Sequence, residues 1–315
     1  MVWYGCDQST YCRYCGGSNA IVLRYMKIMM KHKKISTYIF SCIAILLLIL
    51  ITWTVWSNTA LELHTYYISS EKIPQSFSGY RIAHISDLHN TEMGEDNEKL
   101  LNMIKDAKPD IIAITGDMID SYNTNIDIAL RFAREAVKIA PCFYVTGNHE
   151  ARISEYDKLI TGLEEIGVIV LDNDKIELED SGESITLLGV KDPSFQSDYL
   201  FGDSETIMAD TLDNLMREDD KYCILLSHRP ELFHIYVDNN IDIVLSGHAH
   251  GGQFRIPFVG GIVAPNQGLF PKYDAGLFGE KETNMIVSRG IGNSIIPFRF
   301  NNPPEVIIIE LQHEK

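Results

Sequence analysis

Tyr80-Arg81-Ile82-Ala83-His84-Ile85-Ser86-Asp87-Leu88-His89 is a short apolar run that ends in an aspartate and a histidine one residue apart. The arrangement returns four times along the chain. Asp110 to Thr115 runs into Gly116-Asp117, Cys142 to Thr146 into Gly147-Asn148-His149-Glu150, Tyr222 to Ser227 into His228, and Ile241 to Ser246 into Gly247-His248-Ala249-His250. Runs of this length bounded by turn residues read as buried strands. Between them, Asn97 to Ala107, Ile126 to Ile139, Glu155 to Ile166 and Glu205 to Arg217 read as helices, which is the pattern of α/β layering.

Five strands that each finish in metal-binding residue types predict a single site. In α/β sheets the carboxyl ends of strands converge on one crevice, so side chains distant in sequence meet there. Asp-x-His and His-x-His offer two donors one residue apart, and the glycines before Asp117, Asn148 and His248 allow sharp turns at those ends. Further strands are expected at Val168 to Leu171, Lys175 to Leu178, Ile185 to Val190, Gln253 to Ile256, Met285 to Ser288 and Val306 to Leu311, with Glu62 to Ser69 as an edge strand. No helices separate this group, so a second, mixed sheet is expected to pack on the first. Gly251 to Thr283, rich in Gly and Pro, reads as long loops near the site.

The blocks D-x-H, G-D-x-x-D, G-N-H-[DE], an isolated His and G-H-x-H, all present in order from Asp87 to His250, resemble the calcineurin-like metallophosphoesterases. The resemblance implies a four-layer αββα sandwich of two mixed sheets with two divalent metal ions, manganese, iron or zinc, at the strand ends. It assigns Asp87, His89 and His250 to one ion, Asn148, His228 and His248 to the other, and Asp117 as the bridge. It also implies His149 as the group that protonates the leaving group, with Asp120 orienting it. A shared carboxylate makes physical sense, because two divalent ions about 3.5 Å apart repel by roughly 20 kcal/mol even at an effective dielectric near 20. With Asp87, Asp117 and a metal-bound hydroxide as nucleophile, the site keeps a formal charge of +1 and still attracts phosphate.

Phosphoprotein phosphatases of this superfamily continue G-D-x-x-D with Arg-Gly, whereas Ser121 and Tyr122 follow Asp120 here. A phosphate-gripping arginine is thus missing, and Arg229, Arg289 and Arg299 are the candidates to replace it. Gly251-Gly252-Gln253, together with Ser288-Arg289-Gly290-Ile291-Gly292 ahead of Pro303-Pro304-Glu305, look like the bacterial membrane-anchored branch of the superfamily. The expected activity is hydrolysis of phosphodiester or pyrophosphate bonds in a small or lipid-linked substrate. The alternatives are a phosphomonoesterase and, from another class, a metal-stabilised membrane-anchored interaction scaffold.

Ile35 to Trp56 contains no charged residue, and as a helix its 22 residues would reach about 33 Å, enough to cross a bilayer. Arg24, Lys27, Lys31, Lys33 and Lys34 precede it, whereas Ser57 to Ser70 holds Glu62 and no Lys or Arg. Positive charge on that side predicts a cytoplasmic N-terminus and a single-pass protein of the cell membrane with its catalytic domain outside. The rival readings are a signal peptide cut near Ser57-Asn58-Thr59-Ala60 and a buried core helix. The expected organisation is a basic leader over 1–34, with Met26, Met29 or Met30 as alternative starts, a span over 35–56, a connector and edge strand over 57–78, and a catalytic domain over 79–315.

Hydrophobic residues make up 45% and charged residues 22% of the 315, which is a folding composition rather than a disordered one. Residues 1 to 56 hold six Lys or Arg and one Asp of the 27 basic and 43 acidic residues, so the outer portion is strongly acidic. That field disfavours a nucleic-acid partner, which needs a basic surface. Cys12-Arg13-Tyr14-Cys15 has metal or redox spacing without a second pair, and Cys142 and Cys223 are expected as buried free thiols.

Overall fold

The computed structural model describes residues 14–196, 204–216, 221–293 and 296–314, with side chains from residue 21 onward. Cys12 lies outside the described residues, as does the end of the Glu205 to Arg217 segment. The chain divides into two units, Met1–Trp53 and Thr54–Lys315.

The first unit is described by one element. Helix α1, Tyr14–Thr59, runs without interruption from the basic leader through the apolar stretch and continues into the second unit. Its apolar side chains, such as Phe40 and Leu48, face outward. From Ile21 to Thr59 it is long and apolar enough to cross a membrane, and its most apolar window is not buried, as a core helix would be.

In the second unit the elements are β1 (Glu62–Ser70), β2 (Arg81–Ile85), α2 (Glu98–Ala107), β3 (Ile111–Thr115), α3 (Ile126–Ala136), β4 (Cys142–Val145), α4 (Tyr156–Ile166), β5 (Ile169–Val170), β6 (Asp174–Asp180) and β7 (Glu183–Gly189). Then follow α5 (Ser204–Leu215), β8 (Cys223–Leu226), α6 (Phe233–Asp238), β9 (Ile243–Ser246), β10 (Arg255–Ile256), β11 (Gly260–Gly261), β12 (Val263–Ala264), β13 (Gly268–Leu269), β14 (Gly276–Glu280), β15 (Thr283–Val287) and β16 (Glu305–His313). One sheet has the order β1-β16-β2-β3-β4-β5 and the other β14-β15-β9-β8-β7-β6. Both are mixed, with β16 antiparallel to β2 in the first and with β6 and β14 antiparallel to their neighbours in the second.

Strand alternation explains the layering. In β2 and β3, Ala83, Ile85, Ile112 and Ile114 face one side and pack with Leu100, Phe132 and Leu163 of the helices. Ile82, Ile111 and Ala113 face the other side and meet Ile224, Leu226, Ile243 and Leu245 of the second sheet. On that sheet's far face, Leu225 and Val244 pack with Met208 and Leu212 of α5 and Phe233 and Tyr236 of α6. Strands buried on both faces are apolar throughout, which is why their sequences read as continuous runs. The result is the expected αββα sandwich.

The division of strands differs from the expectation. Segments around Val168 and Val306 join the first sheet, and β8 and β9, which carry two of the five motif blocks, belong to the second. Helix α6 and strand β14 escaped the sequence reading. The helix has six residues and is buried nearly all round at Phe233, Ile235, Tyr236 and Val237, so it presents no amphipathic period.

Candidate metal centre

Every metal-binding residue type named above sits just past the carboxyl end of a strand. Asp87 and His89 follow β2, Asp117 follows β3, Asn148 and His149 follow β4, His228 follows β8, and His248 and His250 follow β9. Three of these strands lie in one sheet and two in the other, so the site spans the seam between the two sheets. The His228 Nδ1–H donates to the Thr115 carbonyl at 2.7 Å and ties the seam together.

The donor atoms form adjoining groups. Asp87, His89 and His250 converge in one, Asp117, His228 and His248 in another, and Asp117 also groups with His89 and His149. Asp117 Oδ2 lies 3.2 Å from His228 Nε2 and 3.6 Å from His89 Nε2, between the two groups. His89 and His250 place their Nε2 atoms 3.2 Å apart, and His250 Nε2 is 3.4 Å from Asp87 Oδ1. His248 Nδ1 stands 3.1 Å from His228 Nε2. Asn148 is buried in the same loop as His149, and its Oδ1 has no hydrogen-bond partner among the described residues. So many buried lone pairs facing one another fit cations, because imidazole nitrogens and carboxylates repel unless a positive charge stands between them.

The electrostatics agree with that chemistry. Burial works to raise the Asp87 and Asp117 carboxyls, yet the surrounding imidazoles hold both below the ordinary carboxylate range. Burial pushes His250 down to about 3 and His248 well below the usual imidazole value, so both rings are neutral with a lone pair to give. Burial opposes protonation of His228 as well, but Asp117 and Asp87 raise it to about 10, so a cation would have to displace its proton.

The loops that carry these groups are held in costly conformations. Asp87, His89, Asp117, His248 and His250 all have φ between 45° and 64°, a left-handed region that costs a non-glycine residue about 1–3 kcal/mol. Backbone hydrogen bonds maintain them. Asp87 accepts from the His248 N–H at 3.0 Å, and Asp117 Oδ1 accepts from the His149 N–H at 2.8 Å. Gly147 is needed for close approach, since a Cβ there would collide with the Asp117 carboxylate.

Three supporting contacts were not assigned from the sequence. Glu150, fully buried, accepts the N–H groups of Asp117 (3.0 Å), Met118 (2.8 Å) and Gly147 (2.8 Å), and so joins the loops after β3 and β4. Its burial and the nearby Asp117 push its carboxyl up to about 7. Asn266 Oδ1, at the tip of the β12–β13 hairpin, stands 3.0 Å from His248 Nε2. With the proton on Nε2 donated to that oxygen, Nδ1 is left to face the donor cluster. The Thr115 carbonyl does the same for His228 from the opposite ring nitrogen. Only Glu150 had a sequence signal, as the fourth letter of its block; the other two contacts depend on which loops become neighbours.

Two expectations need correction. Asp120 Oδ1 is 3.8 Å from His149 Nδ1, beyond hydrogen-bond distance, and accepts instead from the Tyr122 N–H at 2.7 Å. The Ser121 N–H donates to His149 Nδ1 at 3.0 Å, so the backbone orients the ring. Arg229 and Arg289 are taken up by carboxylates, whereas Arg299 keeps one guanidinium nitrogen, Nη1, without a partner among the described residues. Arg229 is buried against both Asp192 oxygens and reaches Asn266 Oδ1 at 3.1 Å. Arg289 is paired with Glu62 and Glu305, each at 2.9 Å. Arg299, wholly buried, donates to the Gly292 carbonyl and to Asn293, and burial lowers it to about 10.

The fold and the donor cluster define a metal-dependent phosphoester hydrolase of the two-sheet sandwich class. The calcineurin-like phosphoesterase family model matches residues 80–252, and the chain belongs to that family. The uncharacterized metallophosphoesterase YkuE of Bacillus subtilis is 30% identical over 270 residues, spanning 80% of this chain and 86% of its own. The phosphodiesterase YaeI of Escherichia coli is 29% identical, with 74% and 82% covered. A transmembrane protein with a metallophosphoesterase domain from Danio rerio is 26% identical over 78% of this chain and 56% of its own length.

Proposed function

We propose that this chain is a membrane-anchored phosphodiesterase or pyrophosphatase that uses two divalent ions. Asp87, His89 and His250 would hold one, Asn148, His228 and His248 the other, and Asp117 both. The observation that carries the reading is the position of Asp117 between two buried donor groups drawn from four strand ends, with His149 at a fifth. When bound, the ions supply an activated water and polarise the phosphoryl oxygens; manganese, iron and zinc all suit this mixed nitrogen and oxygen set.

His149 is the acid of the reaction. Its Nδ1 accepts from the Ser121 N–H, so the neutral ring carries its proton on Nε2, the atom that faces away from that backbone contact. From there the proton passes to the departing oxygen. Ser121, not Asp120, is the orienting group in this arrangement.

The diester preference draws on the missing Arg-Gly after Asp120 and on the name of the YaeI relative. The anchor is α1, with residues 35–56 as the span, residues 1–34 on the cytoplasmic side and the catalytic domain from 79 onward outside, as the charge on either side of the span favours. The test is turnover of bis-p-nitrophenyl phosphate against p-nitrophenyl phosphate by the full chain in detergent, with metal analysis of the same sample. Predominant monoester turnover would establish the phosphomonoesterase instead, and two bound metals with no hydrolysis of any phosphoester would establish the scaffold.

A further inference from the structure

Six of the exposed large apolar side chains described in the second unit lie on three loops, while others such as Leu63, Tyr67, Tyr122, Ile169 and Leu277 stand apart from them. Ile256, Phe258 and Val259 form the turn between β10 and β11, Leu269 and Phe270 close the β12–β13 hairpin, and Phe298 lies in the segment before β16. Phe258 is completely exposed, and Leu269 and Phe270 are 71% and 64% exposed. The loops are one physical unit. Ile262 N–H donates to the Phe254 carbonyl at 2.9 Å and Phe270 N–H to the Ile262 carbonyl at 2.8 Å. The Phe254 and Phe298 rings meet edge-on at 5.3 Å, and Arg255 N–H donates to the Phe300 carbonyl at 3.0 Å.

This unit is bonded to the chain where it leaves the apolar helix. Asn58 Oδ1 accepts from the Arg299 N–H at 2.9 Å while its Nδ2 donates to the Arg299 carbonyl at 2.9 Å, and Ser57 Oγ accepts from the Asn301 N–H at 2.8 Å. Asn58 is two residues beyond Trp56, where the uncharged stretch ends, so Phe298 and its neighbours lie close to any membrane surface the stretch emerges from. Charge points the same way. The tips themselves, 256–259, 268–270 and 296–298, contain no charged residue and the exposed Lys272 follows one of them, whereas Arg255 is paired with Asp274 at 2.9 Å and Arg289 and Arg299 are taken up inside the fold. Uncharged aromatic tips with a lysine beside them are what a headgroup layer accepts.

We propose that these three loops seat in the headgroup layer of the bilayer that α1 crosses, and that the site draws a lipid-linked phosphoester from that layer. The β12–β13 hairpin is the connection, since one end presents Leu269 and Phe270 and its tip brings Asn266 to His248. The inference rests on the anchored phosphodiesterase reading above and names the substrate class for it.

The test uses the full chain in nanodiscs of zwitterionic and anionic phospholipid with bromine placed near the headgroup end of the acyl chains. Phe258→Trp and Phe270→Trp each add fluorescence, measured against a Trp3→Phe parent that keeps Trp53 and Trp56. The added signal is quenched by brominated lipid, whereas that of Ile169→Trp, on the edge strand β5, is not. Quenching of Trp53 and Trp56 with none at positions 258 and 270 overturns the seating while leaving the anchor intact, and assigns the face to a protein partner. No quenching of Trp53 and Trp56 overturns the anchor itself. In the same discs, Phe258→Ser with Phe270→Ser lowers turnover of a lipid-linked diester several-fold and leaves bis-p-nitrophenyl phosphate turnover unchanged. Parent-like turnover of the lipid-linked ester overturns the substrate assignment.

Discussion

Replacing Asp192 with Asn tests whether Arg229 is a structural cation or a phosphate grip. Both side chains are buried, and Arg229 Nε and Nη2 bind the two Asp192 oxygens, with Nη2 also donating to Ser194 Oγ at 2.8 Å. Removing one partner of a buried ion pair costs about 3–5 kcal/mol, because the remaining charge keeps its desolvation penalty. The Asn amide retains one acceptor oxygen, so the lower end, about 3 kcal/mol, applies. For a domain of this size, about 2–4 °C of melting temperature is lost per kcal/mol, giving a drop of roughly 6–12 °C. Circular dichroism melts of the full chain measure it, and the apolar pair Asp192→Leu with Arg229→Met should recover most of the loss. The parent adds a pH signature. Burial would raise the Asp192 carboxyl, but Arg229 holds it at about 2, below the usual value of about 3.9. Its stabilisation is therefore full above pH ~4 and disappears as pH falls through about 2, a component that Asp192→Asn lacks. A melting temperature within about 2 °C of the parent, or an Arg229→Met variant that raises KM without lowering the melt, would refute the argument and return Arg229 to the substrate.

Asp117→Asn removes the negative charge between the two donor groups; metal content measured by atomic emission should fall by at least one ion per chain and turnover should vanish, and normal metal content would contradict the shared-ligand assignment. His149→Ala should keep its metals and lose about 10²–10⁴ in kcat on esters with poor leaving groups, with little loss on p-nitrophenyl esters; an equal loss on both would deny it the role of acid. Asn266→Ala should weaken metal retention or activity by about 10–100-fold through His248, and Asn266→Asp should recover most of it; equal losses in both variants would mean that the hairpin, not the His248 contact, matters. Asp120→Ala should change kcat by less than His149→Ala, since the Ser121 N–H orients the ring, and equal losses would restore Asp120 as the orienting group.

Much of this site was legible because its chemistry is local. A strand buried on both faces must be apolar, the turn beyond it must be polar, and Asp87-Leu88-His89 or His248-Ala249-His250 shows two donors within a single turn. Asp120 was misread for the reason that makes local patterns attractive: it sits three residues from Asp117 in the motif, but its carboxylate folds back on the Tyr122 N–H and leaves the Ser121 N–H to reach His149. Arg229 and Arg289 are a different case. An arginine in a loop looks available until its partners are known, and Asp192, Glu62 and Glu305 are 37, 227 and 16 residues from the arginines they pair with.

By itself the amino-acid sequence determined the strand runs, the apolar helix, the ligand types and their order, because periodicity and residue chemistry act over a few neighbouring positions. Tertiary structure alone decided that β8 and β9 belong to the opposite sheet from β2, β3 and β4, that Asn266 and the Thr115 carbonyl orient histidines far from them in the chain, and that Ser57 and Asn58 lock onto the loop of Arg299. Those outcomes depend on which surfaces are buried together when the two sheets close, and short-range pattern carries no record of that pairing.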